Sequence, residues 1–197
     1  MFANQAEEYF SGVLDVYYAV MTGEDKRGAQ AAPGYDQFET LGKTIDVNIV
    51  PSYKEGRVYA SNAMQRNQRK VDYYTVTLNM DKIPYDVRQK LLGRTVDANG
   101  VQFIGGDDIA PNVAIAFEIT MDGGNSELWV MYKGTFAEPT QAAHTDADTI
   151  TYQHPTIEGR FVRREFDNKI SAVVATDGPN VTSTVKDNWF TQVYEAA

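Results

Sequence analysis

Three stretches of the chain alternate between large apolar side chains and small or polar ones. In Thr44 to Val50, Ile45, Val47 and Ile49 share one face, and Thr44, Asp46 and Asn48 the other. In Val71 to Met80, Tyr74, Val76, Leu78 and Met80 oppose Tyr73, Thr75, Thr77 and Asn79. From Val113, the residues Val113, Ile115, Phe117 and Ile119 oppose Ala114, Ala116, Glu118 and Thr120. A period of two marks a strand with one face on a core. Gly12 to Met21 is a β-branched and aromatic run, and a loop follows from Thr22 to Gly34. Shorter strands are expected at Gly56 to Ala60, Val101 to Ile104, Glu127 to Lys133, Thr149 to Gln153, Thr156 to Arg163 and Ile170 to Thr176. Asn99-Gly100 and Asp122-Gly123-Gly124-Asn125 read as turns.

The period changes between Pro84 and Gly93. Val87 and Leu91 are four apart, Pro84 suits a helix start and Gly93 a helix end, so Pro84 to Leu92 is expected as a short helix. A second helix is expected with Thr184 as N-cap, Asp187 three residues on, and Val185 and Trp189 as its buried stripe. Ser61 to Lys70 has no apolar period and reads as an exposed loop, part of a long exposed segment at about 51–70. With no repeat, low-complexity tract or linker, the expectation is a single domain over 1–197. It would be mainly β: an antiparallel sandwich or barrel with one or two short flanking α-helices.

Composition narrows the function. The 197 residues carry a formal charge of −9, and a chain this acidic gains no counterion-release affinity for nucleic acid. There is no cysteine, which removes disulfides, thiolate metal sites and cysteine nucleophiles together. The N-terminal residues do not have the pattern of a signal peptide, no apolar run reaches bilayer length, and Tyr194-Glu195-Ala196-Ala197 matches no lipidation signal. The expectation is a soluble product of a cytoplasm, without membrane partners.

The chemistry-bearing residues point to no reaction. His144 and His154 are the only histidines, one in a loop and one at a turn, and a structural role suits each. Asp107-Asp108 and the pair Asp146 and Asp148 lack the ligand run of a calcium loop and read as solvated turn carboxylates. The sequence has no G-x-S-x-G, phosphate-binding P-loop or H-E-x-x-H motif. No enzyme activity, cofactor or metal is expected.

The order of segments resembles the major tail proteins of long-tailed phages. The resemblance rests on Asp15-Val16-Tyr17-Tyr18-Ala19, the strands Thr44 to Val50 and Val71 to Met80 with a long polar segment between them, and Leu91-Leu92-Gly93 followed by Asp97-Ala98-Asn99-Gly100. It continues through Val113 to Ile119, Leu128 to Gly134, Phe136-Ala137-Glu138-Pro139, Asp148 to Tyr152, Asp167 to Ile170 and Trp189-Phe190. The resemblance implies a β-sandwich with a flanking helix whose copies form hexameric rings that stack into a tail tube. It further implies a virion protein, made in the bacterial host cytoplasm, with itself and other tail proteins such as the tape measure and tail terminator as partners. DNA would pass through the tube without specific binding.

The sequence suits that role physically. If each subunit of a hexamer contributed four strands, a barrel of about 24 strands at ordinary spacing and tilt would leave a bore of roughly 40 Å. The polar faces of the three alternating strands supply Asp46, Asn48, Thr75, Thr77, Asn79, Glu118 and Thr120, all without lysine or arginine, as candidates for a lining that does not hold phosphate. Lys54, Arg57, Arg66, Arg69 and Lys70 concentrate positive charge at 51–70, and the resemblance implies that this segment reaches the next ring. The alternatives are a carbohydrate- or receptor-binding β-sandwich of a phage or cell surface and, behind it, a β-rich hydrolase.

Overall fold

The computed structural model describes residues 9–60, 63–142 and 152–195. Its strands are β1 (Phe10–Val13), β2 (Val16–Val20), β3 (Glu39–Gly42), β4 (Thr44–Ala60), β5 (Ala63–Met80), β6 (Thr95–Val96), β7 (Gln102–Phe103), β8 (Val113–Met121), β9 (Ser126–Phe136), β10 (Thr156–Val162) and β11 (Ser171–Ala175). The helices are α1 (Tyr85–Leu92) and α2 (Ser183–Asn188). Nine strands form one antiparallel sheet in the order β3-β2-β8-β9-β10-β5-β4, with β1 beside β8 and β11 beside β9; β6 and β7 pair separately. The expected mainly antiparallel β fold is the one observed.

The alternation predicted from sequence governs the core. Val76, Leu78 and Met80 of β5, and Val113, Ile115 and Phe117 of β8, are fully buried in one cluster with Phe161, Ile157, Phe136 and Met131. β9 and β10 pair from Gly159–Phe136 to Phe161–Gly134. At this junction a Cβ on Gly134 would overlap the Phe161 ring, and one on Gly159 would lie 2.8 Å from the Phe136 ring. The two rings meet edge to face, 5.9 Å between centroids. Helix α1 covers this core with Val87, Leu91 and Leu92, and ends at Gly93 in the left-handed region, φ 66°.

The reverse face of β8 is covered as well. Ala114 and Ala116 lie in a second core with Leu128, Val130, Tyr132, Trp189 and Val193, so β8 is buried on both sides. Trp189 Nε1 donates to the Trp129 carbonyl across 3.3 Å. Arg164, with no exposed surface, fastens this region. It pairs with Asp167 at 2.7 Å and with Glu195, and its guanidinium lies 3.9 Å from the Tyr132 ring centroid. Burial alone would pull the guanidinium down, but the carboxylates of Glu195 and Asp167 outweigh it and hold Arg164 firmly charged. Nearby, Asp25 accepts from Lys133 at 2.7 Å and from the backbone N–H groups of Glu165 and Phe166, tying the 22–34 loop to β9 and to the turn that follows β10.

Several expectations are corrected. The run from Gly12 to Met21 is two strands, interrupted at Leu14-Asp15. Ile45 does not join Val47 and Ile49 against the core: a register shift between Thr44 and Asp46 turns it outward, half exposed. Residues 63–70, expected as loop, are β-strand paired with β4. The cap of α2 is Thr182, whose hydroxyl accepts from the Val185 N–H, rather than Thr184. Tyr152 and Gln153 lie outside any strand, and the remainder of the strand expected at 149–153 falls outside the described residues.

Candidate functional site

Register decides which of the candidate lining residues belong together. Asp46 stands opposite Asn79, and Asn48 opposite Thr77. Across β5's other side, Thr156 stands opposite Asn79, Glu158 opposite Thr77 and Arg160 opposite Thr75. Residues at directly opposed positions share a face, so Asp46, Asn48, Thr75, Thr77 and Asn79 form one continuous patch with Thr156, Glu158 and Arg160. A hydrogen-bonded row crosses all three strands: Asn79 Nδ2 donates to Asp46 Oδ2 at 2.7 Å, and Thr156 Oγ1 donates to Asn79 Oδ1 at 2.6 Å. The row explains why these residues are polar although their neighbours in sequence are core.

Glu118 and Thr120 are not in this three-strand row. Both are on β8, two strands from β5 along the sheet, but β8 pairs with β1, and Phe10–Val13 of β1 border one hollow with Ile45–Val47 of β4. Thr120 shares a 3.3 Å hydroxyl contact with Ser11 of β1. Five of the seven candidates therefore share the β4–β5–β10 patch, and the other two lie on β8. It also adds three that sequence reasoning did not assign, although the alternation of Thr156, Glu158 and Arg160 with Ile157, Gly159 and Phe161 carried the signal. The face is not free of cations, because Arg160 is on it; its guanidinium stacks over Tyr73, 4.5 Å from the ring centroid.

The second candidate region is the outer part of the β4–β5 hairpin, an arm from the Tyr53–Val71 pairing to the Ala60–Ala63 pairing. At an ordinary strand rise its length is roughly 25 Å. The five cations expected here divide into two groups. Lys54 pairs with Asp72 at 2.7 Å, while Glu55 accepts from Arg57 at 2.6 Å and from Arg69 Nε at 2.9 Å. Arg69, and then Arg57, hold the Glu55 carboxyl below its usual range. Arg69 also lies over the Tyr53 ring at 4.9 Å. Arg66 and Lys70 make no ion pair among the described residues.

The remaining candidates are structural. Asp108 accepts from the Gly105 N–H at 2.9 Å and closes a turn. His154 Nδ1 lies 3.7 Å from Asp81 on the surface. His144, Asp146 and Asp148 lie outside the described residues. Among the described residues, no group of three or more histidines and carboxylates is gathered closely enough to hold a metal, and no helix is long and apolar enough to cross a membrane.

Residues 43–193 match the family model described as phage tail tube protein. Among solved structures, the chain is similar to the sheath/tube terminator of PVC, an extracellular contractile injection system, in its extended state (13% identity, TM-score 0.45, covering 86% of this chain and 99% of that one). It is also similar to the tube terminating cap of the anti-feeding prophage (11% identity, TM-score 0.45, 89% and 100%), and to an Hcp protein (8% identity, TM-score 0.35, 81% and 98%). No curated protein matches the chain.

Proposed function

The chain belongs to the phage tail tube protein family, and from that membership we propose that its copies join edge to edge into rings that stack as the tube of a phage tail. The protein is a structural component of the virion tail. The observation that carries the assembly reading is the unpaired edge of β4. This strand ends the nine-stranded sheet, and among the described residues no strand pairs with its outer side. β1 lies close to its first part, Ile45–Val47, without pairing with it, and farther along Val50 is about half exposed. A long, partly apolar edge is a liability for a monomer and a template for strand pairing with another chain. Because the copies would meet through different surfaces, the contact is head to tail, and such contacts close into rings when the rotation permits.

In this reading the β4–β5–β10 patch lines the bore. Asp46 and Glu158 present carboxylates to passing DNA, and Arg160 is drawn down onto Tyr73. A lining of this kind repels phosphate weakly and binds it nowhere. Glu118 and Thr120, on β8, lie outside that patch. Synthesis in the bacterial cytoplasm, hexameric rings, and contacts with tape-measure and terminator proteins complete the proposal. Negative-stain imaging of the purified protein across a concentration series is the test. Hollow rings or tubes are expected, and particles that stay single at every concentration overturn the assembly reading. Within tubes, Asp46→Lys is expected to leave the rings intact and slow DNA ejection; unchanged ejection removes the lining assignment.

A further inference from the structure

The two ends of the β4–β5 ladder differ in charge and polarity. At one end is the arm. Residues 53–72 contain five cations, Lys54, Arg57, Arg66, Arg69 and Lys70, against two carboxylates, Glu55 and Asp72. Arg66 and Lys70 are exposed. At the other end β5 leads through Asp81 to Pro84 into α1, and α1 carries the β6–β7 hairpin and the loop that follows it. Residues 95–112 contain three aspartates and no lysine or arginine.

This second end also exposes apolar side chains that no core explains. Ile109 is 85% exposed, Ile104 71% and Phe103 55%, with Val101 and Tyr85 about half exposed beside them. The platform is nevertheless built firmly. Tyr85 Oη accepts from the Gln102 N–H at 2.8 Å, and Gln102 Nε2 donates to the Tyr85 carbonyl at 2.6 Å. Asp97 accepts from the Asn99 and Val101 N–H groups. Gly93 packs so closely under Ile109 that a Cβ there would meet the Ile109 carbonyl at 2.2 Å. A fixed, apolar, anion-edged surface is an interaction site rather than a solvated loop.

We propose that this platform, centred on Ile104, Ile109, Asp107 and Asp108, receives the arm of a second copy of this chain. The occupant is chosen by complementarity within the molecule itself. The arm offers the half-exposed Tyr53 as an apolar contact and Arg66 and Lys70 as cations, while Asp107 and Asp108 are exposed carboxylates. Apolar area supplies the adhesion, and the opposed charges fix the register and disfavour an arm-to-arm or platform-to-platform encounter. The two surfaces lie at opposite ends of one ladder, so each copy can receive one arm while offering its own. Such a contact is heterologous and propagates along an axis. The inference rests on the tube reading for its setting, and names the surface that the arm reaches.

The chain's lack of cysteine gives a direct test. Full-length Arg66→Cys and Asp108→Cys proteins are mixed under mild oxidation, with Arg66→Cys and Asp177→Cys as the control pair, and each mixture is imaged alongside. The first pair is expected to form the mixed disulfide roughly tenfold faster than the control, because docking raises the effective thiol concentration. Tubes without preferential cross-linking overturn the platform assignment and leave the tube reading standing. Preferential cross-linking without tubes upholds the platform and overturns the tube reading. Neither outcome appearing in any mixture overturns both. Charge exchange is the second arm: Asp107→Lys with Asp108→Lys should abolish stacking, and adding Arg66→Glu with Lys70→Glu in the same chain should restore it. Stacking that survives the first reversal, or is not restored by the second, overturns the assignment.

Discussion

The same two strands, β4 and β5, live in two environments. Toward Thr44 and Met80 their ladder has a core beneath it, with Val76, Leu78 and Met80 fully buried and Val47 and Ile49 packed against them. Beyond Tyr53 and Val71 the ladder continues with the same pairing, and the side chains described there, at 53–57 and 66–70, are all exposed. There it is stitched by Lys54–Asp72, by Glu55 between Arg57 and Arg69, and by Arg69 over Tyr53. Exposed pairs of this kind contribute little individually, and a two-stranded hairpin in water is marginal by itself. Backbone pairing is therefore common to both halves; burial is what separates a scaffold from an extension.

The contrast predicts a hierarchy of effects. The largest belongs to the β9–β10 junction. Phe161→Ala removes a fully buried ring packed over Gly134 and against Phe136, and should cost about 3–5 kcal/mol, read as a fall in the denaturant midpoint of the monomer. A loss well under 1 kcal/mol would mean that this junction is not where the body's stability is concentrated.

A middle effect follows from acid. Burial would raise the carboxyls of Asp25 and Asp167, but Lys133 and backbone N–H groups at the first, and Arg164 at the second, bring them below their usual 3.8. A depressed carboxyl contributes its full stability above the unfolded value and loses it as pH falls through the folded one. The body should therefore hold its melting temperature down to about pH 4 and lose it progressively below, with Asp25→Asn flattening that decline. A wild-type profile that is flat from pH 5 to pH 2 would contradict the assignment.

The smallest effect on stability belongs to the arm. Glu55→Gln releases Arg57 and Arg69 but should leave the monomer's denaturant midpoint in place, while amide exchange over 54–58 and 66–70 speeds up. A midpoint shift as large as that of the core variant would erase the distinction between the two halves of the ladder.

What the sequence revealed follows the same division. Strands with one face on a core announced themselves, because burial imposes the period of two seen in β5 and β8. The arm did not, because residues 66–70 are exposed and no burial selects apolar side chains there, and backbone pairing leaves no trace in side-chain pattern. The outward turn of Ile45 was equally hidden, since a bulge inserts one residue without changing composition. Burial of Ala114 and Ala116 could not be read locally either: the residues that cover them lie far along the chain, at Trp189 and Val193. Alternation identified the polar faces, but only register could say that Asp46, Asn79 and Thr156 form one hydrogen-bonded row while Glu118 lies on β8.

The dependence of β8 and β9 on Trp189, Val193 and Glu195 also sets a schedule. Until those residues have been synthesised, Leu128, Val130 and the two alanines remain uncovered and Arg164 lacks one of its two counter-ions. Contacts so distant in sequence form late. Completion of this second core is thereby coupled to synthesis of residues 189–195, and a nascent chain that has not reached them carries an uncovered β8–β9 face.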